Sequence, residues 1–253
     1  MKANTMSGEL LSPPSHDEWM ELAKTEYERL TSLLTALPES AWANQTDCTE
    51  WDVTAMVAHV LGAAESNASM VETVKQLSKA RRWAKQNNRL LVDGLCAVQI
   101  RERSHLTPTE LVARYRSTWP RALQRRTKMP TVIRKHAKVP GDTPGITEKW
   151  EYGYLNDCIY TRDVWMHRID ISRAAGVPVE LSVDHDRRIV ADLVGEWSRR
   201  HGQPFTLVLT GVAGGNFDVG TGGPQIELDA VEFARTLSGR THGDGLLSVP
   251  VPF

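Results

Sequence analysis

The sequence predicts a mostly α-helical protein that ends in a small α+β domain. Apolar residues recur at helical spacing through long segments between Ser15 and Gly176. After Gly176 the chain changes to short β-type segments separated by glycine, such as FTLVLTG at 205–211 and NFDVG at 216–220. We therefore expect a helical domain at residues 1–178 and an α+β domain at 179–253, which suits a chain of 253 residues.

Composition describes an ordinary globular protein. Hydrophobic residues make up 41% of the chain, and the formal net charge is −1. Residues 1–14 lack the apolar core of a signal peptide, and no apolar run reaches membrane-spanning length. The three cysteines, Cys48, Cys96 and Cys158, are odd in number and widely spaced, which predicts reduced thiols. We expect a cytoplasmic monomer or homodimer with no membrane segment.

The first two predicted helices begin at clear capping residues. Ser15 and Glu18 form a capping-box pattern, after which apolar residues recur at helical spacing up to Pro38. Asp52 is a good N-cap for a second helix, which the pattern continues without a break over 53–74. The face of this helix that carries His59 is lined by small residues, so a neighbouring helix can come close.

The middle of the chain is strongly basic. Between residues 79 and 138, sixteen lysines and arginines face three acidic residues. This block suits either a surface for anions or nucleic acid, or solvated helix faces offset by the acidic remainder. We favour the second interpretation, so nucleic acid is an unlikely partner. A capping box at 107–110 opens a helix to about residue 128, and residues 130–147 are predicted to form a long loop.

Residues 152–176 form the predicted helix with the most informative polar residues. Asp163 and His167 are four positions apart, so both side chains lie on one face, and Asn156, Tyr160 and Asp170 extend the stripe. The remaining faces are largely apolar, which predicts burial of the helix. A buried carboxylate and imidazole must be paired or ligated. A satisfied core histidine and a metal site both fit this helix taken alone.

His59 adds a third candidate ligand. Two histidines and one carboxylate are a common ligand set of catalytic zinc and of non-haem iron(II). From the residues alone we therefore predict a divalent metal ion, zinc or iron(II), held by His59, Asp163 and His167.

The C-terminal domain is predicted from alternating helix and strand signals. Asp184 is a candidate cap for a helix that ends at Gly202, and QIELD at 225–229 is a third strand. Asp229 then caps a helix closed by Gly239, and residues 249–253 are a possible last extended segment. The glycines between 211 and 223 are not followed directly by a helix, so they indicate hairpin turns rather than a phosphate-binding loop.

Three stretches resemble one known family. They are DCTEWDVTAMVAHV at 47–60, TRDVWMHRIDISRAAG at 161–176 and ELDAVEFARTLSGR at 227–240. In this order they resemble the signature stretches of the mycothiol-dependent maleylpyruvate isomerase family, which is part of the DinB-like, or YfiT-like, metalloenzyme superfamily. The resemblance covers nearly the whole chain. It implies a DinB-like four-helix bundle to about residue 178, followed by a sterol-carrier-like α+β domain.

The resemblance also implies a site and a reaction. Family members hold a divalent metal, usually zinc, on residues that match His59, Asp163 and His167, although well-known members have Glu where this chain has Asp163. Mycothiol would bind the metal as a thiolate and attack an electrophilic, anionic small molecule, with cis–trans isomerisation of a maleylpyruvate-type substrate as the leading reaction. Such a protein would be of actinobacterial type.

Arg240 and Asp170 are predicted to act at the site, and each also has a plainer structural interpretation. Arg240 matches the arginine that the family's second domain offers to a substrate carboxylate, or it is a surface arginine. Asp170 either orients a metal ligand or pairs with Arg173 on the helix surface. At the level of function, the alternatives are a mycothiol S-transferase or detoxification enzyme on the same site, and a non-catalytic lipid- or ligand-binding protein.

Overall fold

A computed structural model describes residues 10–141, 146 and 148–253. The chain is mostly helical with a small sheet, as predicted. It divides into two compact units. The helical unit contains residues 16–141 and 149–179, and the C-terminal unit contains residues 180–253 with 10–15, 146 and 148.

The helical unit is built from seven described helices and a two-stranded hairpin. Their bounds are α1 His16–Ala36, α2 Val53–Ala68, α3 Met70–Asn87, α4 Leu91–Arg101, α5 Pro108–Thr127, α6 Thr131–His136, β1 Lys138–Pro140, β2 Lys149–Glu151 and α7 Tyr160–Ala175. Helix α2 packs against α3, α4, α5 and α7, and α1 packs against α5 and α7. Apolar side chains from α1, α2, α5 and α7 form one buried cluster. This core fixes α2 beside α7, and those two helices carry the candidate ligands.

Three predicted helix ends of the helical unit are present. The Asp52 carboxylate accepts a hydrogen bond from the Ala55 amide at 2.7 Å. Thr107 and Glu110 form the reciprocal capping box of α5. Gly176 ends α7 in the left-handed conformation, with φ at 67°. These contacts lie within four residues of each other, so the sequence predicts them directly.

The continuous helix predicted over 53–74 is wrong. Helix α2 ends at Ala68, and Ser69 leaves the helical conformation with φ at −148°. The Ser69 hydroxyl then accepts from the Glu72 amide at 3.3 Å and starts α3. The Ser-x-x-Glu sequence at 69–72 matches a capping box, of which the structure forms the Ser69 side-chain bond, and the helical periodicity concealed it.

The long loop predicted over 130–147 is also wrong in part. Helix α6 and strand β1 occupy most of its first half, and β1 pairs antiparallel with β2. Residues 142–145 and 147 lie outside the described part of the chain.

The helix predicted to start at Tyr152 contains a π-helical turn over Tyr154–Ile159 before α7 begins. Hydrogen bonds in a π turn span five residues instead of four, so side chains before the turn fall out of phase with those after it. The predicted place of Asn156 on the polar stripe is therefore wrong. Its amide donates to the Arg126 carbonyl at 3.3 Å and to the Asp157 carboxylate at 2.7 Å.

The C-terminal unit contains α8 Asp186–His201, β3 Phe205–Thr210, β4 Gly215–Val219, β5 Gln225–Asp229 and α9 Ala230–Leu237. The strand order is β4–β3–β5, with β3 antiparallel to β4 and parallel to β5. The Trp197 ring packs against Phe205 and Phe233 in the core of this unit. The three predicted strands are confirmed. Residues 249–253 form no strand.

The two predicted helix caps of this unit differ in outcome. The Asp229 carboxylate accepts from the amides of Val231 and Glu232, as predicted for α9. The cap predicted at Asp184 is wrong, because α8 begins at Asp186 after His185. The Asp186 carboxylate instead accepts from the Ser182 amide at 2.6 Å.

Glycine is needed where β4 connects to β5. The connection passes the start of β3 to reach its other side, and a Cβ at Gly223 would overlap the Pro204 carbonyl. Gly220 approaches Pro204 with φ at 67°. These glycines therefore serve a connection between two strands that do not pair with each other, so the hairpin predicted here is wrong, and no helix follows them directly. Among the described helices, none is long and apolar enough to cross a membrane.

Candidate metal centre

The three predicted ligands lie together inside the helical unit. Helix α2 contributes His59, and α7 contributes Asp163 and His167 one turn apart. The Asp163 carboxylate oxygen is 3.6 Å from His59 Nε2 and 3.3 Å from His167 Nε2. The two imidazole rings are nearly perpendicular, with centroids 5.2 Å apart. One ligand atom from each residue lies within 4.8 Å of the others.

These separations suit a tetrahedral metal ion. Nitrogen and oxygen ligands at 2.0–2.2 Å from a tetrahedral zinc ion lie about 3.3–3.6 Å from each other. The two observed separations of 3.3 and 3.6 Å fall in that range. Three protein ligands leave a fourth position open, as in catalytic zinc sites. The residues present therefore fit a divalent ion.

The electrostatics of the cluster agree with that fit. Burial alone would lower the pKa of His59, but the neighbouring Cys96 thiol and Asp163 carboxylate outweigh it and raise that pKa to about 10. Burial would likewise raise the pKa of Asp163, but the His167 and His59 imidazoles hold it well below its usual range. Asp163 therefore concentrates negative charge where the two Nε2 atoms converge, and that charge favours a cation.

Asp170 lies behind His167. It is fully buried, and its carboxylate oxygen is 3.2 Å from His167 Nδ1. A carboxylate on the second ring nitrogen of a ligating histidine fixes the ring and its tautomer. Arg173, the alternative partner considered for Asp170, forms an ion pair with Asp47 at 3.5 Å.

Sequence reasoning missed three residues around the cluster. The Trp51 ring packs on both imidazoles, with centroids 5.0 Å from His59 and 6.0 Å from His167. The Cys96 thiol is close enough to His59 to raise its pKa. The Cys48 sulfur lies within 4.8 Å of ligand atoms of His167 and Asp170. Cys48 and Trp51 both lie in the 47–60 stretch with His59, and this proximity in sequence was the available signal.

Arg240 belongs to the C-terminal unit. It follows Gly239, whose φ is 79°, and its amide donates to the Arg235 carbonyl at 2.9 Å. Its predicted role toward a substrate stays a prediction.

Several lysines and arginines of the basic block form ion pairs within the helical unit. Arg103 and Arg114 both contact the Glu65 carboxylate, and Lys79 contacts Glu102. Arg126 is buried. These contacts support the interpretation that the block serves the fold and its solvated faces.

Comparison with known proteins agrees with the resemblance seen in the sequence. The family model of the mycothiol maleylpyruvate isomerase N-terminal domain matches residues 23–172. No curated protein sequence matches the chain at a significant level.

Two solved structures share the fold. The crystal structure of a mycothiol-dependent maleylpyruvate isomerase is 15% identical, with a TM-score of 0.59 over 93% of this chain and 94% of that chain. A histidine-to-alanine mutant of a mycothiol-dependent maleylpyruvate isomerase is 14% identical, with a TM-score of 0.58 over 91% and 93%. The family model spans more than half of the chain, and the chain therefore belongs to the mycothiol maleylpyruvate isomerase family.

Proposed function

We propose that this protein is a zinc-dependent enzyme that uses mycothiol as a thiol cosubstrate on an electrophilic, anionic small molecule. The leading reaction is cis–trans isomerisation of a maleylpyruvate-type substrate. The observation that carries the proposal is the convergence of His59, Asp163 and His167 at tetrahedral spacing. Family membership supports mycothiol as the thiol.

Each residue of the cluster has a defined task in this proposal. His59 and His167 would hold the ion through Nε2, and Asp163 would supply the negative ligand. Asp170 holds His167 through Nδ1 in the required tautomer. The Trp51 ring covers one side of both imidazoles and limits water there. When bound, a divalent ion with an open position lowers the pKa of a coordinating thiol, which then reacts as a thiolate.

The thiolate chemistry accounts for isomerisation without net change in composition. Addition of the thiolate sulfur to the double bond forms a carbon–sulfur bond, moves the π electron pair onto the conjugated carbonyl as an enolate, and makes the former double bond rotatable. After rotation, the enolate electron pair re-forms the double bond in the trans configuration, and the carbon–sulfur bond breaks to release the thiolate. With an electrophile that carries a leaving group, the carbon–sulfur bond stays and the leaving group departs with its electron pair, which is the S-transferase reaction on the same site.

In this proposal Arg240 binds the substrate carboxylate and stabilises charge that develops after thiolate attack. We expect Arg240→Ala to lower kcat/KM about a hundredfold, in line with a charged partner worth roughly 2–3 kcal/mol. Metal content should not change, because Arg240 is not a ligand. Full activity of this variant would show that the C-terminal unit takes no part in catalysis.

The decisive experiment combines metal analysis with product analysis. Protein purified without added metal should contain about one zinc ion per chain by mass spectrometry. Maleylpyruvate with and without mycothiol would then be followed by NMR, with His59→Ala as the blank. A trans product that requires mycothiol supports the isomerase. A stable thioether supports the S-transferase instead. Absence of both metal and thiol-dependent turnover would overturn the proposal in favour of a binding protein.

A further inference from the structure

Arg126, near the end of α5, is a buried arginine close to the start of the metal-site helix. Its exposed fraction is 1%, so it cannot touch a substrate or a solvent-borne ligand. A guanidinium carries five N–H donors in a fixed plane and remains charged. Such a group is tolerated in the interior when its donors are satisfied.

The donors of Arg126 converge on the π-helical turn. Nε donates to the Asn156 carbonyl at 2.8 Å, and one terminal nitrogen donates to the Asp157 carbonyl at 3.3 Å. The same nitrogen donates to Thr161 Oγ1 at 2.7 Å. The other terminal nitrogen donates to the Tyr27 hydroxyl at 2.9 Å. A single side chain thus joins α1, the π turn and the first turn of α7.

Two hydrogen bonds of Arg126 fall on carbonyl groups of the π turn. A side chain inserted into the hydrogen-bond ladder of a helix is a recognised cause of local distortion. The Thr161 hydroxyl donates to the Asp157 carbonyl at 2.7 Å while accepting from Arg126. Arg126 and Thr161 therefore both hydrogen-bond to carbonyls of the π turn.

The chain before α7 is anchored separately. The Asn156 side-chain amide donates to the Arg126 carbonyl. The Asp157 carboxylate is 3.0 Å from His16 Nδ1 and 3.3 Å from an Arg134 nitrogen. With this end fixed, the number of residues in the π turn decides which way α7 faces, because each residue of an α-helix turns it by about 100°.

We propose that Arg126 is a positioning residue of the metal centre. By holding the π turn, it sets the rotation of α7 that directs Asp163 and His167 toward His59. The inference rests on the proposed metal site. It assigns to Arg126, which is not a ligand, the alignment of Asp163 and His167, which follow the π turn by one and two helical turns.

The test compares Arg126→Met with Arg103→Met. Arg103 is also buried, at 2% exposure, but it binds Glu65 on α2 and lies outside α7 and the π turn. Both variants lose a buried guanidinium, so both are destabilised. For each we would measure unfolding in urea, cobalt(II) affinity with the visible spectrum of the bound ion, and the imidazole 15N shifts of His59 and His167 in metal-free protein.

The expected result is a split between the variants. Arg126→Met should weaken cobalt(II) binding at least tenfold, alter the visible spectrum and move the His167 imidazole shifts. Arg103→Met should unfold at lower urea but keep all three site signals. If Arg126→Met keeps the site signals and differs only in stability, the proposal is wrong.

Two further outcomes are separable. If wild-type protein binds no cobalt(II), the proposed function fails, and the imidazole shifts in metal-free protein still decide the role of Arg126. If Arg126→Met does not fold, Thr161→Val removes one acceptor of the guanidinium with little change in volume. That variant should move the His167 shifts away from their wild-type values, and unchanged shifts would overturn the proposal.

Discussion

Helix α2 takes part in two polar clusters that differ in how their groups are paired. His59 belongs to the metal-type cluster with Asp163 and His167 on α7. Glu65, less than two turns later, belongs to a second cluster with Arg103, in the turn after α4, and Arg114 on α5. Both clusters are largely buried, so burial alone does not separate a functional site from a structural one.

The second cluster is largely satisfied by its own members. Arg103 donates to the Glu65 carboxylate and to the Gln99 carbonyl, the latter at 2.8 Å. Gln76 donates to the Gly62 carbonyl at 3.0 Å and accepts from Gln99 at 3.0 Å. Most donors meet acceptors, apart from the buried Gln99 Oε1, and opposite charges meet each other. This is the arrangement expected of groups that hold helices together.

The first cluster, of His59, Asp163 and His167, brings three atoms that can each accept a proton or bind a cation close together. Two imidazole Nε2 atoms and one carboxylate oxygen converge, and a proton between them can serve only part of their acceptor capacity. A divalent cation serves all three at once. The contrast teaches that the match of donors to acceptors, more than polarity or burial, distinguishes the site from the scaffold.

The largest expected effect comes from a substitution in the second cluster, the structural cluster around Glu65. Arg103→Met leaves the buried Glu65 carboxylate without its most buried partner, so we expect a loss of about 3–5 kcal/mol in unfolding free energy, measured in urea. Cobalt(II) affinity should change little. The control is Arg114→Met, which removes a partner of the same carboxylate whose side chain is 48% exposed and should cost about 1 kcal/mol or less. Equal losses in the two variants would contradict the comparison.

The second prediction breaks the metal-type cluster. His59→Ala removes one ligand of a site whose binding energy is typically about 10–16 kcal/mol, so metal affinity should fall more than about a hundredfold. Unfolding of the metal-free protein should change far less than in Arg103→Met. Competition with a coloured chelator measures the affinity, and exposed His105 provides the control variant, His105→Ala. Tight metal binding by His59→Ala would remove this residue from the ligand set.

The third prediction separates the two interpretations of Asp170. Asp170→Asn weakens the hold on His167 Nδ1, so metal affinity should fall about 10–100-fold if Asp170 orients the ligand. Asp47→Asn, which removes the ion-pair partner of Arg173, should leave affinity unchanged. If the two variants behave alike in a chelator titration, Asp170 has no orienting role.

The smallest expected effect concerns pH. The pKa of His59 is raised from 6.5 to about 10 in the metal-free protein, so near neutral pH this imidazole carries a proton that metal binding must displace. Apparent affinity should therefore rise about tenfold, or 1.4 kcal/mol, for each pH unit up to about pH 10. Calorimetry in buffers of different ionisation enthalpy should detect release of about one proton. Binding that releases no proton between pH 6 and 9 would contradict the raised pKa.

The same comparison shows where sequence reasoning succeeded. Asp163 and His167 could be placed on one face because helix geometry fixes the direction of residues four apart. The caps at Asp52, Thr107 and Asp229 could be predicted because each is a contact within three residues. The structural cluster could not be predicted, since Glu65, Arg103 and Arg114 meet only through the packing of three helices.

The errors have a common physical origin. Ser69 divides two helices because its hydroxyl caps the second, a local contact that outweighs an unbroken apolar pattern. Asn156 leaves the polar stripe because a π turn, held by Arg126 from another helix, changes the phase of the chain. In the first case a signal was present and overlooked. In the second the cause lies about thirty residues away and leaves no local pattern.

By itself the sequence determined the mostly helical class, the three strands of the C-terminal unit and the three residue types that suit a divalent ion. These follow from periodicity, caps and turns, which act between residues a few positions apart. Only the tertiary structure decided that His59 reaches Asp163 and His167, that Trp51 covers both imidazoles, and that Asp170 lies behind His167. These contacts depend on how α2 packs against α7, and burial of a shared core fixes that packing across distant parts of the chain.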